Sequence, residues 1–134
     1  MTVRPRRIIL IGTSFGGVSA LERVLPGLSP ELPAPVVVVQ HRSREADDGL
    51  CEFLRDHCRL PVAEPNDKDE VEPGRVYLAP RDYHLLVEDG RFALSVDAPV
   101  TYARPSIDVL FESAADVYGA GAVGVVLTGA NRDG

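Results

Sequence analysis

The sequence predicts an α/β fold: a mainly parallel sheet covered by helices and interrupted by a β-hairpin insert. Three observations carry that prediction. Val36 to Val39 are four consecutive valines, a strand apolar on both faces, as the middle of a parallel sheet requires. Ile8 to Ile11 run into Gly12-Thr13-Ser14-Phe15-Gly16-Gly17 and then into helical spacing, the strand–turn–helix start of a βαβ unit. Asp89-Gly90 separates two alternating runs, a strong hairpin signal.

Taken in order, Arg7 to Ile11 is rich in β-branched residues and reads as the first strand. Val18, Leu21, Val24 and Leu25 then recur at helical spacing until Pro26-Gly27 stops the helix. Pro33 and Pro35 mark a loop before the valine strand, which ends at Gln40-His41. From Arg44 to Cys58, the positions Ala46, Leu50, Phe53, Leu54 and Cys58 form an apolar helix face. Glu64 to Glu72 is acidic, contains Pro65 and reads as an exposed loop. Val76 to Ala79 is a strand closed by Pro80, and the hairpin pairs His84–Glu88 with Arg91–Val96 through a type I′ turn. Ser106 can cap a third helix whose apolar face is Ile107, Leu110, Phe111, Ala114 and Val117/Tyr118. Val123 to Leu127 is a last buried-type strand, leading into Thr128-Gly129-Ala130-Asn131-Arg132-Asp133-Gly134. A parallel strand normally feeds a crossover helix, so the pattern fits one α/β domain over residues 1–134 that is incomplete at its C-terminal side.

Composition narrows the classes. A formal charge of −6 argues against general nucleic-acid binding, which needs clustered Lys and Arg. Arg4, Arg6 and Arg7 form the only basic cluster and read as a solvated flank. The apolar run after them is too short for a signal sequence, and no stretch approaches the ~18 residues of a membrane span. The chain is therefore expected to be cytoplasmic, with no direct membrane insertion. Cys51 and Cys58 are expected as small buried residues two turns apart on one helix face, neither metal ligands nor a disulfide.

Gly12-Thr13-Ser14-Phe15-Gly16 fits G-x-S-x-G in its required context, a strand before and a helix after. Such a turn lifts the serine above the sheet edge and places helix N–H groups where an oxyanion develops. The same backbone physics serves a phosphate-binding turn with Ser14 as a mere donor, although G-x-G-x-x-G spacing and a Walker lysine are absent. His41 ends the valine strand, and Asp133 follows the last one. Singly, His41 equally fits a satisfied edge residue, and Asp133 a helix cap. Together, Ser14, His41 and Asp133 each fall just past the C-terminal end of an expected parallel strand, where open α/β sheets hold their sites. Nucleophile, base and orienting carboxylate on one rim is the logic of a hydrolytic triad.

These segments resemble the catalytic domain of the CheB-type chemotaxis receptor protein-glutamate methylesterases. The resemblance spans nearly the whole chain and rests on five blocks in order. They are Ile11 to Gly17, Val39-Gln40-His41, Val76 to Pro80 with His84, Arg104 to Phe111, and Leu127 to Gly134. It implies a doubly wound, mainly parallel sheet in a three-layer, Rossmann-like architecture. It also implies a cofactor-free serine hydrolase that removes methyl esters from glutamyl side chains on the cytoplasmic helices of methyl-accepting receptors, and in some cases deamidates glutamines. Carried onto this sequence, Ser14 is the nucleophile, His41 the base and then acid, and Asp133 its orienting carboxylate. His84, Arg104 and Asp108 are expected to be structural. Phe15 and Ala130 depart from the family pattern, which usually has a small or hydroxyl residue and a Met there. No receiver domain, which often precedes the catalytic domain in the family, is expected in these residues. A same-mechanism esterase or amidase with another substrate, or a catalytically silent anion-binding module, are the alternative readings.

Overall fold

A computed structural model describes residues 7–14, 18–42, 49–100 and 103–127. Its main sheet has five strands, all parallel. They are β1 (Ile8–Thr13), β2 (Val36–Gln40), β3 (Val62–Ala63), β4 (Val76–Leu78) and β7 (Ala122–Leu127), in the order β3-β4-β2-β1-β7. The hairpin of β5 (His84–Val87) and β6 (Phe92–Ser95) forms a separate antiparallel pair. Three helices, α1 (Val18–Val24), α2 (Leu50–Asp56) and α3 (Ile107–Tyr118), cover the sheet. None of the described helices is long and apolar enough to cross a membrane.

The valine run shows why the sheet has helices on both sides. Val37 and Val39 join Ile8, Leu10, Leu85, Phe92, Ile107 and Leu110 in one core cluster. Val36 and Val38 join Ile11, Leu21, Leu25, Leu54 and Leu78 in the other. Successive side chains of a strand point to opposite faces, so each valine alternates between the α3–hairpin layer and the α1–α2 layer. Each fully buried valine stabilises the fold by roughly 1.5–3 kcal/mol, which makes this strand the spine of both cores. The result is a three-layer, doubly wound α/β domain, as the resemblance implied.

Several expectations are corrected. β1 continues two residues past Ile11, because Gly12 and Thr13 still pair with Val39 and Gln40 on one side and with Val126 and Leu127 on the other. α2 ends at Asp56. The His57 ring nitrogen Nδ1 lies 2.8 Å from the Phe53 carbonyl and its backbone N–H donates to Leu54, which closes the last turn. Cys58 therefore lies past the helix and is half-buried, while Cys51 is buried within it. Residues 43–48, where the expected helix began, lie outside the described residues.

The acidic segment 64–72 is mostly exposed but is not a free loop. Lys68 N–H donates to Phe92 O, Phe92 N–H to Asp69 O and Val71 N–H to Gly90 O, which ties the segment to the hairpin. β3, a two-residue strand just before it, is too short to leave a period in the sequence.

The hairpin turn is not type I′. That turn needs positive φ at both central residues, and here only Gly90 has it, at 74°.

β7 has the expected position but not the expected burial. Val123, Val125 and Val126 are exposed, because among the described residues β7 pairs only with β1 and stands at the sheet edge.

α3 begins as expected. The Ser106 hydroxyl accepts from Val109 N–H at 3.3 Å, while Ile107, Leu110 and Ala114 are buried.

Candidate active site

Ser14 directly follows β1, and His41 directly follows β2. The two strands are parallel neighbours whose last residues, Thr13 and Gln40, pair in register. Parallel strands end on the same side of a sheet, so both residues stand on one rim. On the other flank of β1, Leu127 of β7 pairs with the same Thr13, so β7 also ends at that rim. β1 is also where the chain changes direction: β2 and β4 extend the sheet one way, and β7 is added on the other side. Such a switch point opens a crevice between neighbouring strand ends. Asp133, Phe15 and Ala130 lie outside the described residues.

Both residues on the rim are buried, Ser14 at 4% and His41 at 3% exposure, so a reaction there would run with little water around the charges. The His41 N–H donates to the Thr13 carbonyl at 3.0 Å, a backbone link between the two strand ends. Ile11 and Val38 belong to the α1–α2 cluster, so a period of two puts Thr13 and Gln40 on that face. Continued by one residue, it puts Ser14 and His41 on the α3 face.

Polar side chains that the sequence did not single out hold this rim. The Thr13 hydroxyl donates to Gln40 Oε1, and Gln40 Nε2 donates to the carbonyls of Ser14 at 2.5 Å and His41 at 3.2 Å. One residue after His41, Arg42 Nη1 bonds Glu64 Oε1 at 2.7 Å and the Ala79 carbonyl at 3.0 Å. The Arg42 side chain is only 2% exposed, so its charge is compensated inside the protein. Polar residues closing apolar strands at matched positions were the available signal. Their partners lie too far along the chain for spacing to reveal them.

The structure gives His84, Arg104 and Asp108, expected to be structural, the following surroundings. His84 is buried, with Nε2 2.9 Å from the Ala98 carbonyl. Arg104 bonds Asp82 through Nε at 3.0 Å and Nη2 at 2.6 Å, and its Nη1 reaches the Val96 carbonyl at 3.0 Å. Asp108 sits in the first turn of α3, where a carboxylate suits the helix dipole. Among the described residues, no group of three or more His, Cys, Asp or Glu could hold a metal ion. Burial pushes both cysteine thiols up, which keeps them protonated.

Known proteins share this sequence pattern and fold. The CheB methylesterase family description matches residues 9–134. A relative from Leptospira interrogans is 44% identical over 127 residues, covering 94% of this chain and 66% of its own length. Protein-glutamate methylesterase/protein-glutamine glutaminase 2 of Anaeromyxobacter dehalogenans is 45% identical, covering 95% of this chain and 37% of its own length. The chain thus spans no more than about two thirds of either relative. The crystal structure of the Thermotoga maritima CheB methylesterase catalytic domain superposes with a TM-score of 0.89 at 37% identity, over 96% of this chain and 70% of that one. With the match running from β1 through the last residue and the sheet superposing along nearly its whole extent, the chain belongs to the CheB methylesterase family.

Proposed function

We propose that these residues belong to the catalytic domain of a serine hydrolase that removes methyl esters from glutamyl side chains of chemotaxis receptors and deamidates glutaminyl ones. The observation that carries this reading is the placement of Ser14 and His41 immediately after paired residues of adjacent parallel strands. The family and the names of the relatives support the same chemistry. Ser14 Oγ attacks the ester carbonyl while His41 takes its proton. The tetrahedral intermediate collapses to an acyl-serine, and His41 returns the proton to methanol, or to ammonia when the substrate is an amide. A water then attacks the acyl carbonyl as His41 takes its proton, and His41 passes that proton to Ser14 Oγ as the glutamate carboxyl group leaves and ionises. Asp133, in the segment leaving the β7 end, orients the imidazole and stabilises its cation. No cofactor takes part in this scheme. The substrate helices are cytoplasmic, and the enzyme works in the same compartment.

The test is methanol release from methylated receptor by the full-length protein. Ser14→Ala and His41→Ala should each lower the rate by at least ~10³-fold. A Ser14→Ala protein that releases methanol at the wild-type rate overturns the reading. Hydrolysis of small esters with methylated receptor untouched overturns the substrate assignment alone.

A further inference from the structure

The structure assigns Gln40 a role that neither the family nor its relatives' names describe. We infer that its side-chain amide is the positioning group that sets the nucleophile-bearing and base-bearing strand ends against each other. The inference rests on the proposed roles of Ser14 and His41. Gln40 is 2% exposed, at a position preceded by four buried valines. A fifth apolar residue would satisfy packing there, whereas a buried amide is costly unless it is hydrogen-bonded. All three of its bonds go to the rim: Oε1 accepts from the Thr13 hydroxyl, and Nε2 donates to the Ser14 and His41 carbonyls.

Those partners also fix which way the amide faces. Two carbonyl acceptors require both N–H donors on their side, so the opposite orientation would set oxygen against oxygen. At the strand ends, the His41 N–H donates to the Thr13 carbonyl. One residue further on, the Gln40 amide spans the two main chains, with one N–H on the Ser14 carbonyl and the other on the His41 carbonyl. Gln40 itself points to the α1–α2 side of the sheet. It therefore holds both backbones from behind and leaves the α3 side to the reacting groups. Because peptide groups are planar, a carbonyl held in place also fixes the peptide that follows the nucleophile. Small errors in such geometry are expensive in rate and nearly neutral for substrate binding.

The test uses the full-length protein with Gln40→Met, which keeps length and removes all three bonds, and Thr13→Val, which removes one. Per folded molecule, Gln40→Met should lower kcat by roughly tenfold or more while KM changes by less than about threefold; Thr13→Val should lie between it and wild type. The His41 ring resonances should move in Gln40→Met, which a purely structural amide would not cause. A folded Gln40→Met with kcat within about twofold of wild type and unchanged His41 ring signals overturns the inference. If Gln40→Met does not fold, Thr13→Val decides by the same two readouts. A wild-type protein without esterase activity would sink the proposed function, and the His41 ring signals would still decide the role of Gln40.

Discussion

Ile107, the first residue of α3, closes directly on Gly12 of β1. A Cβ at position 12 would stand 2.5 Å from Ile107 Cγ2 and 2.9 Å from both Cγ1 and Cδ1. Gly12 is two residues before Ser14, so the glycine is needed here for close approach of a helix to the strand that carries the candidate nucleophile. Ile107 is itself 1% exposed and seated in the core with Leu10 and Val39, so it cannot swing away cheaply.

Gly12→Ala should therefore destabilise the protein by about 1–3 kcal/mol, the usual cost of overpacking a tight core. Urea unfolding would measure it. Ile107→Ala removes all three obstructing atoms, so the double variant should be less destabilised than the sum of the two single ones. Strict additivity would show that the clash is relieved elsewhere.

Arg42 and Glu64 form an unequal pair, with side chains 2% and 38% exposed. Removing the acid leaves a buried guanidinium, still bonded to the Ala79 carbonyl, without its carboxylate, while removing the base leaves a carboxylate that water can reach. Glu64→Ala should thus lose more stability than a pair this exposed would suggest, on the order of 1–3 kcal/mol. Arg42→Met, which replaces the buried charge with an apolar stem, should cost less than Arg42→Ala. Thermal unfolding of the three variants checks the ranking.

Ser106 is fully buried and its hydroxyl accepts from Val109 N–H. Ser106→Ala should cost about 1 kcal/mol, and Ser106→Asp should retain much of the cap if the carboxylate can be accommodated. Amide exchange of the first turn of α3 should quicken in the alanine variant.

Burial pushes the Cys51 and Cys58 thiols up, and Tyr77 likewise, chiefly through desolvation. A group whose folded pKa is raised contributes stability that is fully present below its unfolded pKa and is lost as pH rises through the folded value. The unfolded thiols ionise near pH ~8.5, so stability should fall as pH climbs from about 8 to 10, with Tyr77 adding to the loss above ~10. Cys51→Ala should flatten this alkaline limb. A urea midpoint independent of pH over that range would contradict the burial of these groups.

What was legible in the sequence follows the range of the interactions. Val36–Val39 announced a two-faced strand because burial on both sides leaves a continuous apolar run. Ser106 announced a helix start because a cap acts over three residues. G-x-S-x-G and His41 marked the rim because each sits at a strand end. The Gln40 contacts escaped notice since they span 26 and 27 residues and depend on the register of two strands. The hairpin was legible but its turn type was not, because Asp89 adopts a negative φ while Gly90 alone takes the positive one. β7 read as buried from its valines, and the described residues leave that face open. Asp133 falls outside the described residues, and the β7 end it follows in sequence is what supports its proposed role.

The proposed function requires Ser14 to be a nucleophile activated on the rim it shares with His41. Its most direct test is reaction of the full-length protein with a fluorophosphonate, followed by mapping of the adduct by mass spectrometry. One phosphonyl group is expected on Ser14, with labelling slowed at least ~10²-fold in His41→Ala. An unlabelled Ser14 in a folded protein, or labelling that proceeds equally well without His41, would contradict it.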